Sequence, residues 1–363
     1  MERALYVHIP FCLKKCLYCD FYSITDLTLQ DCYIDVLLKE IKEIEDKELK
    51  SIFIGGGTPT VLSKYNLERL LKNLSRFDFK EFTVEANPGT LNEEKLLLLK
   101  DYGVNRLSIG LQAVQDNLLK RLGRIHNFND FLNNYEMARK IGFKNINVDL
   151  MFNIPEQSID DWMDTLNKIV DLNPEHISIY SLILEEGTVF YDYYQKGELS
   201  ISDDEIDRQM YHYAVEFLKS YGYEHYEISN FAKKGFECIH NLTYWNEEEY
   251  YGVGASAHSF IDSYRYANAS DIKEYITSRY LKREKIYISK EEQMQEFMIL
   301  GLRKIKGISK KDFKNRFNVD IIEVYGDKIS KLLRQGLVFD NGEFISLTSK
   351  GLDVANQVFL VFL

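Results

Sequence analysis

Apolar residues fall in short runs along the first half of the chain, at 5–9, 51–55, 81–85, 106–110, 145–152 and 176–182, each rich in Val, Ile, Leu, Tyr or Phe. Between them lie longer stretches, 33–45, 67–74, 93–100, 131–140 and 158–170, in which apolar residues return every three or four positions. The first kind predicts strands and the second amphipathic helices, so the alternation predicts βαβ units around a parallel sheet. Six units of about 30 residues each fill residues 1–200. An open doubly wound sheet and a partial TIM-like barrel both fit this periodicity. The unusual residues favour the barrel. Gly55-Gly56-Gly57-Thr58-Pro59 closes the second strand and Glu85-Ala86-Asn87-Pro88 the third. Gln112 follows the fourth, Asp149 sits in the fifth and Tyr180-Ser181 in the sixth. Chemistry at the carboxyl end of strand after strand is the pattern of a barrel with its site on that face. The expected architecture is α/β, a partial TIM-like (β/α)6 barrel.

Beyond residue 200 the pattern changes. A helix is expected at 204–221, followed by a Tyr-rich segment at 221–231 and the stretches 240–245 and 251–256. Near the end, 291–304 reads as a helix, Ser309 as the cap of a second, and 320–335 as a third. The segments 337–340 and 343–347 flank Asn341-Gly342 and read as a hairpin. Three helices and a hairpin make a winged-helix-like α+β module. The expected division is 1–200 for the barrel, 201–285 for a connecting region and 286–363 for the C-terminal domain.

Charge narrows the function. The chain has 363 residues, with 45 Lys+Arg against 56 Asp+Glu for a net charge of −11. That balance argues against a protein held to nucleic acid by phosphate contacts, so the winged-helix-like module is read as a docking or covering domain. No stretch approaches the roughly 18 apolar residues of a membrane span, and the start lacks the basic and apolar blocks of a signal peptide. A cytoplasmic location is expected, with the apolar end 358–363 packed as a tail.

Five cysteines are few for this length, and Cys12, Cys16 and Cys19 crowd together with spacing C-x3-C-x2-C. A disulfide framework would spread an even set along a short chain, so the cluster reads as a metal site. Zinc prefers four protein ligands and would have to recruit His8 or Cys32. Three thiolates suit a 4Fe-4S cluster with one iron left open, and S-adenosylmethionine (SAM) can chelate that iron.

This spacing, with its flanks Tyr6-Val7-His8-Ile9-Pro10-Phe11 and Asp20-Phe21-Tyr22-Ser23, resembles the radical SAM superfamily. The resemblance is to the branch holding the oxygen-independent coproporphyrinogen III dehydrogenases (HemN) and the related heme chaperones (HemW). Further matches run through Gly55–Thr60, Glu85–Pro88, Asn105–Gln112 and Asn147–Met151 into the C-terminal module, so they cover nearly the whole chain. The resemblance implies a cofactor pocket. Tyr6 would lie against SAM near the cluster, and Gly56, Gly57 and Thr58 would let backbone approach its methionine moiety. Glu85 would accept from the ammonium or ribose, Gln112 would bind ribose, Arg124 would pair with the carboxylate, and Asp149 would take ribose hydroxyls.

Two features point within that branch to the chaperones. The dehydrogenases resemble C-x3-C-x2-C-x-C, and Phe21 stands here at the fourth cysteine position. They also carry a longer extension before the first strand. His240-Asn241-Leu242-Thr243-Tyr244-Trp245 matches the HNxxYW motif associated with heme in the chaperone family, with His240 as axial ligand and Tyr244 and Trp245 stacking on the porphyrin. Cys238 and His258 are rival ligands. The implied function is heme binding and transfer to apoproteins such as respiratory cytochromes, with dimer formation and transient contact with membrane proteins as further implications. The alternative is a coproporphyrinogen III dehydrogenase.

Overall fold

Six strands, β1 (Arg3–Ile9), β2 (Glu48–Gly56), β3 (Asp78–Ala86), β4 (Arg106–Gln112), β5 (Ile146–Phe152) and β6 (His176–Ser181), lie parallel and side by side in chain order. The structure is a computed structural model and describes residues 2–278 and 284–363. A doubly wound sheet needs a point where strand order reverses, and none occurs between β1 and β6. Right-handed crossovers in unbroken order put every connecting helix on one face, and the sheet curls away from them. The sheet is not closed, so the partial barrel holds as expected.

Period-two alternation decides which side chains face the helices. Leu5, Val7, Ile9, Ile52, Ile54, Phe82, Val84, Leu107, Ile109, Val148, Leu150, Ile177 and Ile179 are fully or almost fully buried in one core with helix residues such as Leu37, Leu70, Leu99, Phe131 and Trp162. The intervening residues point to the concave side, and most are polar: Ser51, Glu81, Thr83, Glu85, Arg106, Ser108, Asn147, Asp149, His176 and Ser178. Helix ends follow local chemistry. Asn127 and Asp130 form a capping box that starts Phe128–Ile141, one turn before the position expected from its apolar spacing, and Gly142 in the left-handed conformation ends it. Ser158 and Asp161 do the same for Ile159–Leu172.

The region after residue 200 adds to the same sheet at both edges. The helix Asp204–Ser220 leads to β7 (Glu224–Glu227) and β8 (Asn230–Ala232), which continue antiparallel beyond β6. Across the molecule, β9 (Tyr250–Val253) pairs parallel with β1, and β10 (His258–Ile261), β11 (Tyr264–Ala267) and β12 (Glu284–Tyr287) extend that edge to twelve strands. The helices Lys290–Gly301, Lys310–Phe317 and Ile321–Arg334 share a second core with β13 (Ile308–Ser309), β14 (Val338–Asp340) and β15 (Phe344–Leu347), in sheet order 13-15-14. This is the expected winged-helix-like module, with the two-residue β13 added. The apolar tail packs into it through Val358, Phe359 and Phe362. Among the described residues no helix is long and apolar enough to cross a membrane.

A buried carboxylate fastens the late segment to the first helix. Glu40, on Gln30–Lys42 and 4% exposed, accepts from the Gly254 amide at 2.9 Å, Asn268 Nδ2 at 2.8 Å and Tyr275 Oη at 2.6 Å. Glu40→Leu removes the shared acceptor of three donors, at about 1 kcal/mol or more each when left unpaired. Urea unfolding should show a loss of about 3 kcal/mol, and a loss below about 1 kcal/mol would mean that water replaces the carboxylate.

Candidate functional site

The loop after β1 carries the three neighbouring cysteines over the carboxyl ends of the strands. It is pinned by backbone hydrogen bonds: Cys12 N–H to Ile24 O at 2.9 Å, Thr58 N–H to Phe11 O at 2.8 Å, Gly57 N–H to Ile9 O at 2.8 Å and Leu17 N–H to Leu122 O at 3.1 Å. Beneath it lies a cavity of about 400 Å³ whose wall includes Cys12, Cys16, Cys19, Gly56, Gly57, Glu85, Gln112, Arg124 and Asp149. Nine residues singled out from the sequence, drawn from the first loop, four strands and the segment before Phe128–Ile141, therefore share one wall. Tyr6 and Thr58 stand just behind it. Tyr6 Oη is hydrogen-bonded to His8 Nδ1 at 3.0 Å. Thr58 Oγ1 accepts from Asn87 Nδ2 at 2.7 Å and lies 3.6 Å from Cys12 Sγ, so it braces the cysteine.

The glycines owe their identity to protein packing. A Cβ on Gly57 would meet Phe11 O at 2.8 Å and Cys12 Sγ at 3.0 Å, and one on Gly56, at φ 109°, would strike the His8 ring at 2.5 Å. Gly57 thus makes room for the cysteine loop itself. At the far wall β4 bulges between Gly110 and Gln112, and Gln112 adopts φ 78°. A left-handed non-glycine residue beside a bulge is a strained conformation of the kind that re-aims a side chain at a site.

Charge in the cavity is unevenly paired. Arg124 donates to Asn87 Oδ1 at 2.6 Å, to Gly110 O, and toward Cys16 Sγ at 3.5 Å, while its buried Nε has no partner among the described residues. Burial pushes the Cys12 thiol up and the Cys19 thiol to about 11. Glu85 has the Gly56 amide at 3.3 Å as a donor, and burial together with the nearby Asp149 carboxylate raises its pKa to about 8. Asp149 is also raised by burial, against hydrogen bonds from Asn147 and Ser108 that favour its charged form.

The thiol set fits a cluster better than one ion. Among the described residues no three His, Cys, Asp or Glu side chains gather closely enough to hold a single metal. His8 has both ring nitrogens engaged, by Tyr6 Oη and Tyr22 O, and Cys32 is exposed on the first helix. A 4Fe-4S cluster takes each thiolate on a different iron, so its ligands need only ring a cavity. The wall also includes Tyr18, Ser108 and Met151, together with Asn87 and Tyr180, which the sequence marks as strand-end residues without a role. Met151 had a signal: it lies two positions from Asp149, on the same face of the strand.

His240 lies elsewhere. The helix Ile239–Trp245 closes the amino ends of the strands, against Ser51 of β2 and Glu81 of β3. Four residues of strand separate Ser51 from Gly55 near the cavity, about 13 Å. His240 is 1% exposed; its Nδ1 is hydrogen-bonded to Ser51 Oγ at 2.9 Å and its Nε2 to Tyr244 Oη at 3.0 Å. Glu81 accepts from the Ile239 and His240 amides at 3.0 and 3.1 Å and from Cys238 Sγ at 3.5 Å. Burial lowers His240 to about 3 and raises Cys238 to about 12, so both are neutral. Arg303 stacks on Trp245 at 4.6 Å, and Arg316 donates to Asn246 O and Glu247 O at 3.2 and 2.8 Å. In this packing the expected heme ligand is a core histidine with no ring nitrogen open to iron. His258 is exposed on β10.

Comparison with known proteins agrees with this geometry. Residues 6–169 match the Radical SAM superfamily and residues 288–354 the HemN C-terminal domain. The heme chaperone HemW of Bacillus subtilis (strain 168) is 41% identical over 99% of both chains. HemW of Lactococcus lactis is 40% identical, over 99% of this chain and 97% of that one, and HemW of Escherichia coli (strain K12) is 31% identical, over 99% and 98%. The solved structure of coproporphyrinogen III oxidase (HemN) from Escherichia coli superposes with a TM-score of 0.85 at 23% identity, covering 99% of this chain and 90% of that one, and so shares the fold.

The packing of Gly57 makes a direct prediction. Gly57→Val drives a side chain into Phe11 O and Cys12 Sγ, and overpacking of this kind costs about 1–3 kcal/mol. Thermal unfolding should fall accordingly, and alkylation of Cys12 under native conditions should quicken. Unchanged Cys12 labelling would show that the loop accommodates the methyl groups.

Proposed function

The chain belongs to the HemW family within the radical SAM superfamily, and from that premise we propose that it is a heme chaperone. In this reading Cys12, Cys16 and Cys19 hold a 4Fe-4S cluster, and the adjoining cavity takes SAM. The observation that carries it is one cavity wall joining three thiols to Gly56, Gly57, Glu85, Gln112, Arg124 and Asp149. When bound, cluster and cofactor supply one-electron chemistry. The chain's own groups bind and orient. Arg124 keeps a positive charge beside Cys16 and offers it to the cofactor carboxylate. Glu85 meets the ammonium or ribose, and Gln112 and Asp149 take ribose hydroxyls, with Tyr6 and Thr58 bracing the wall from behind.

Heme binding and delivery to apoproteins such as respiratory cytochromes form the second half of the proposal. They are supported by the HNxxYW segment and by the names of the relatives. His240 acts as heme ligand once Ile239–Trp245 leaves Ser51 and Glu81, because both ring nitrogens are engaged while the helix is seated. The work is placed in the cytoplasm, with a homodimer and transient contact with membrane-bound acceptors as its context. Phe21, where the dehydrogenases carry a cysteine, supports carrier over enzyme.

The test combines cluster, heme and turnover. After anaerobic reconstitution, Cys12→Ala, Cys16→Ala and Cys19→Ala should each lose the visible absorbance of the cluster, and Cys32→Ala and Cys238→Ala should keep it. Cluster in Cys19→Ala with loss in Cys32→Ala would overturn the ligand set. Heme should titrate about one to one, and His240→Ala should weaken it with the cluster intact. Conversion of coproporphyrinogen III above background, with SAM and a reductant, would reject the chaperone reading.

Glu85 adds a pH dependence. Its folded pKa of about 8 lies above the ordinary 4.5, so the ligand-free carboxyl is protonated at neutral pH. The stability it contributes is full below 4.5 and is lost as pH rises through about 8. A cationic ligand needs the carboxylate, so SAM affinity should rise between pH 6 and 8, by up to about tenfold per unit. Calorimetry on reconstituted protein should show that slope flattened in Glu85→Gln; an equal slope there would assign the proton to another group.

A further inference from the structure

Behind the cavity wall a buried chain of hydrogen bonds runs the depth of the half-barrel. Ser108 Oγ donates to Asp149 Oδ2 at 3.0 Å. Asn147 Nδ2 reaches Asp149 Oδ1 at 2.8 Å and Ser108 Oγ at 2.7 Å. Asn147 Oδ1 faces His176 Nδ1 at 2.6 Å, His176 Nε2 faces Tyr226 Oη at 2.8 Å, and Tyr226 Oη accepts from the Cys238 amide at 3.3 Å. His176 is 0% and Asn147 2% exposed. Cys238 is the residue from which Ile239–Trp245 starts.

The direction of every bond is determined. The Asn147 amide nitrogen donates to both Asp149 Oδ1 and Ser108 Oγ, which leaves its carbonyl facing His176. An amide carbonyl only accepts, so His176 carries its proton on Nδ1. Burial and the Arg106 charge keep the imidazole neutral, which leaves Nε2 an acceptor for the Tyr226 hydroxyl. The phenolic oxygen is then free to accept from Cys238 N–H, a group that only donates. The far end is compatible with this direction, because a phenol that donates its proton to His176 still accepts from the Cys238 amide, and the order is set from the Asn147 side. Ser178 Oγ adds a second donor to Asn147 Oδ1 at 3.0 Å.

We propose that His176 and Tyr226 are positioning residues for the Asp149 end of the cavity, so that ligand binding there depends on the seating of Ile239–Trp245. Tyr226 fixes the tautomer of His176, His176 fixes the amide of Asn147, and Asn147 aims the Asp149 carboxylate. If the helix withdraws, Tyr226 loses its far donor and the order at Asp149 weakens. This rests on the reading of the cavity as the SAM site.

The experiment is SAM calorimetry on cluster-reconstituted full-length protein, with iron content and thermal unfolding measured alongside. Tyr226→Phe removes one oxygen and keeps the ring; His176→Leu cuts the chain. Both should weaken SAM about tenfold, the order of one hydrogen bond to a charged group, with iron content unchanged. His176→Gln can donate to Asn147 and accept from Tyr226 in the same sense, and should restore affinity to within about threefold of wild type. A merely structural role would lower the unfolding temperature in Leu and Gln variants alike and leave affinity alone. Affinity in Tyr226→Phe within about twofold of wild type would overturn the proposal. No SAM binding by the wild type would instead overturn the reading of the cavity, and the proposal with it. In a second arm, SAM should slow amide exchange at 238–245 in wild type and lose that effect in Tyr226→Phe; unaltered exchange in wild type on saturation would reject the link to the helix.

Discussion

Among the described residues no second layer covers the concave face of the sheet. Unbroken strand order places every crossover helix on the convex side, so the inward side chains of six strands must satisfy one another. An apolar interior would have to be filled to close-packed density, as in a full barrel. A half-barrel cannot close on itself, and its interior is polar and hydrogen-bonded instead. The helix Ile239–Trp245 stops the lower end, with the Glu81 carboxylate taking its first amides. The upper end is covered by the cysteine loop, and the space between is the cavity. Site and fold are thus consequences of the same topology.

Electrostatics follows from how well each buried charge is supplied. Stripping a carboxylate of water costs several kcal/mol unless hydrogen bonds replace it. Asp149 receives donors from Asn147 and Ser108, and Glu81 receives two amides and a thiol. Among the described residues Glu85 has only the Gly56 amide as a donor, so it takes a proton instead, and its pKa climbs to about 8. Of these three carboxyls the least supplied is Glu85, on the cavity wall, where a cationic ligand would complete its shell. Arg124 is its counterpart, a guanidinium beside a thiol, its Nε unpartnered among the described residues.

How much of this was legible in the sequence depends on the length of the signal. The six long strands and their helices were, because five or more residues of alternation identify a face. β7 to β12 were not: at three or four residues each, their pattern is too short to separate from a loop, and their pairing is set by edges that the first six strands create. Residue types at strand ends were legible as a group and brought nine of eleven cavity candidates to one wall. The reason for Gly57 was not legible, since its neighbour is the cysteine loop, which only the fold brings there. Nor was the difference between Tyr6 behind the wall and Glu85 on it, because both lie on inward faces and depth along a strand depends on register.

His240 shows the same limit from the other side. Its motif was read as a heme site, yet every motif side chain with a resolved partner is at work in the packed protein. His240 bridges Ser51 and Tyr244, Thr243 bonds back to Ile239 O at 3.0 Å, and Trp245 lies under Arg303. A ring nitrogen cannot hold a serine hydroxyl and an iron at once, and Trp245 cannot stack on a porphyrin while Arg303 covers it. On the proposed reading, the sealed arrangement and a heme-bound one would therefore be mutually exclusive states of one short helix. What favours the sealed state is on both sides of it: Glu81, Ser51 and Tyr226 from the half-barrel, Arg303 and Arg316 from the C-terminal domain. A carrier built in this way would gain from such competition, because the contacts that reseal the helix would oppose those that hold the cargo.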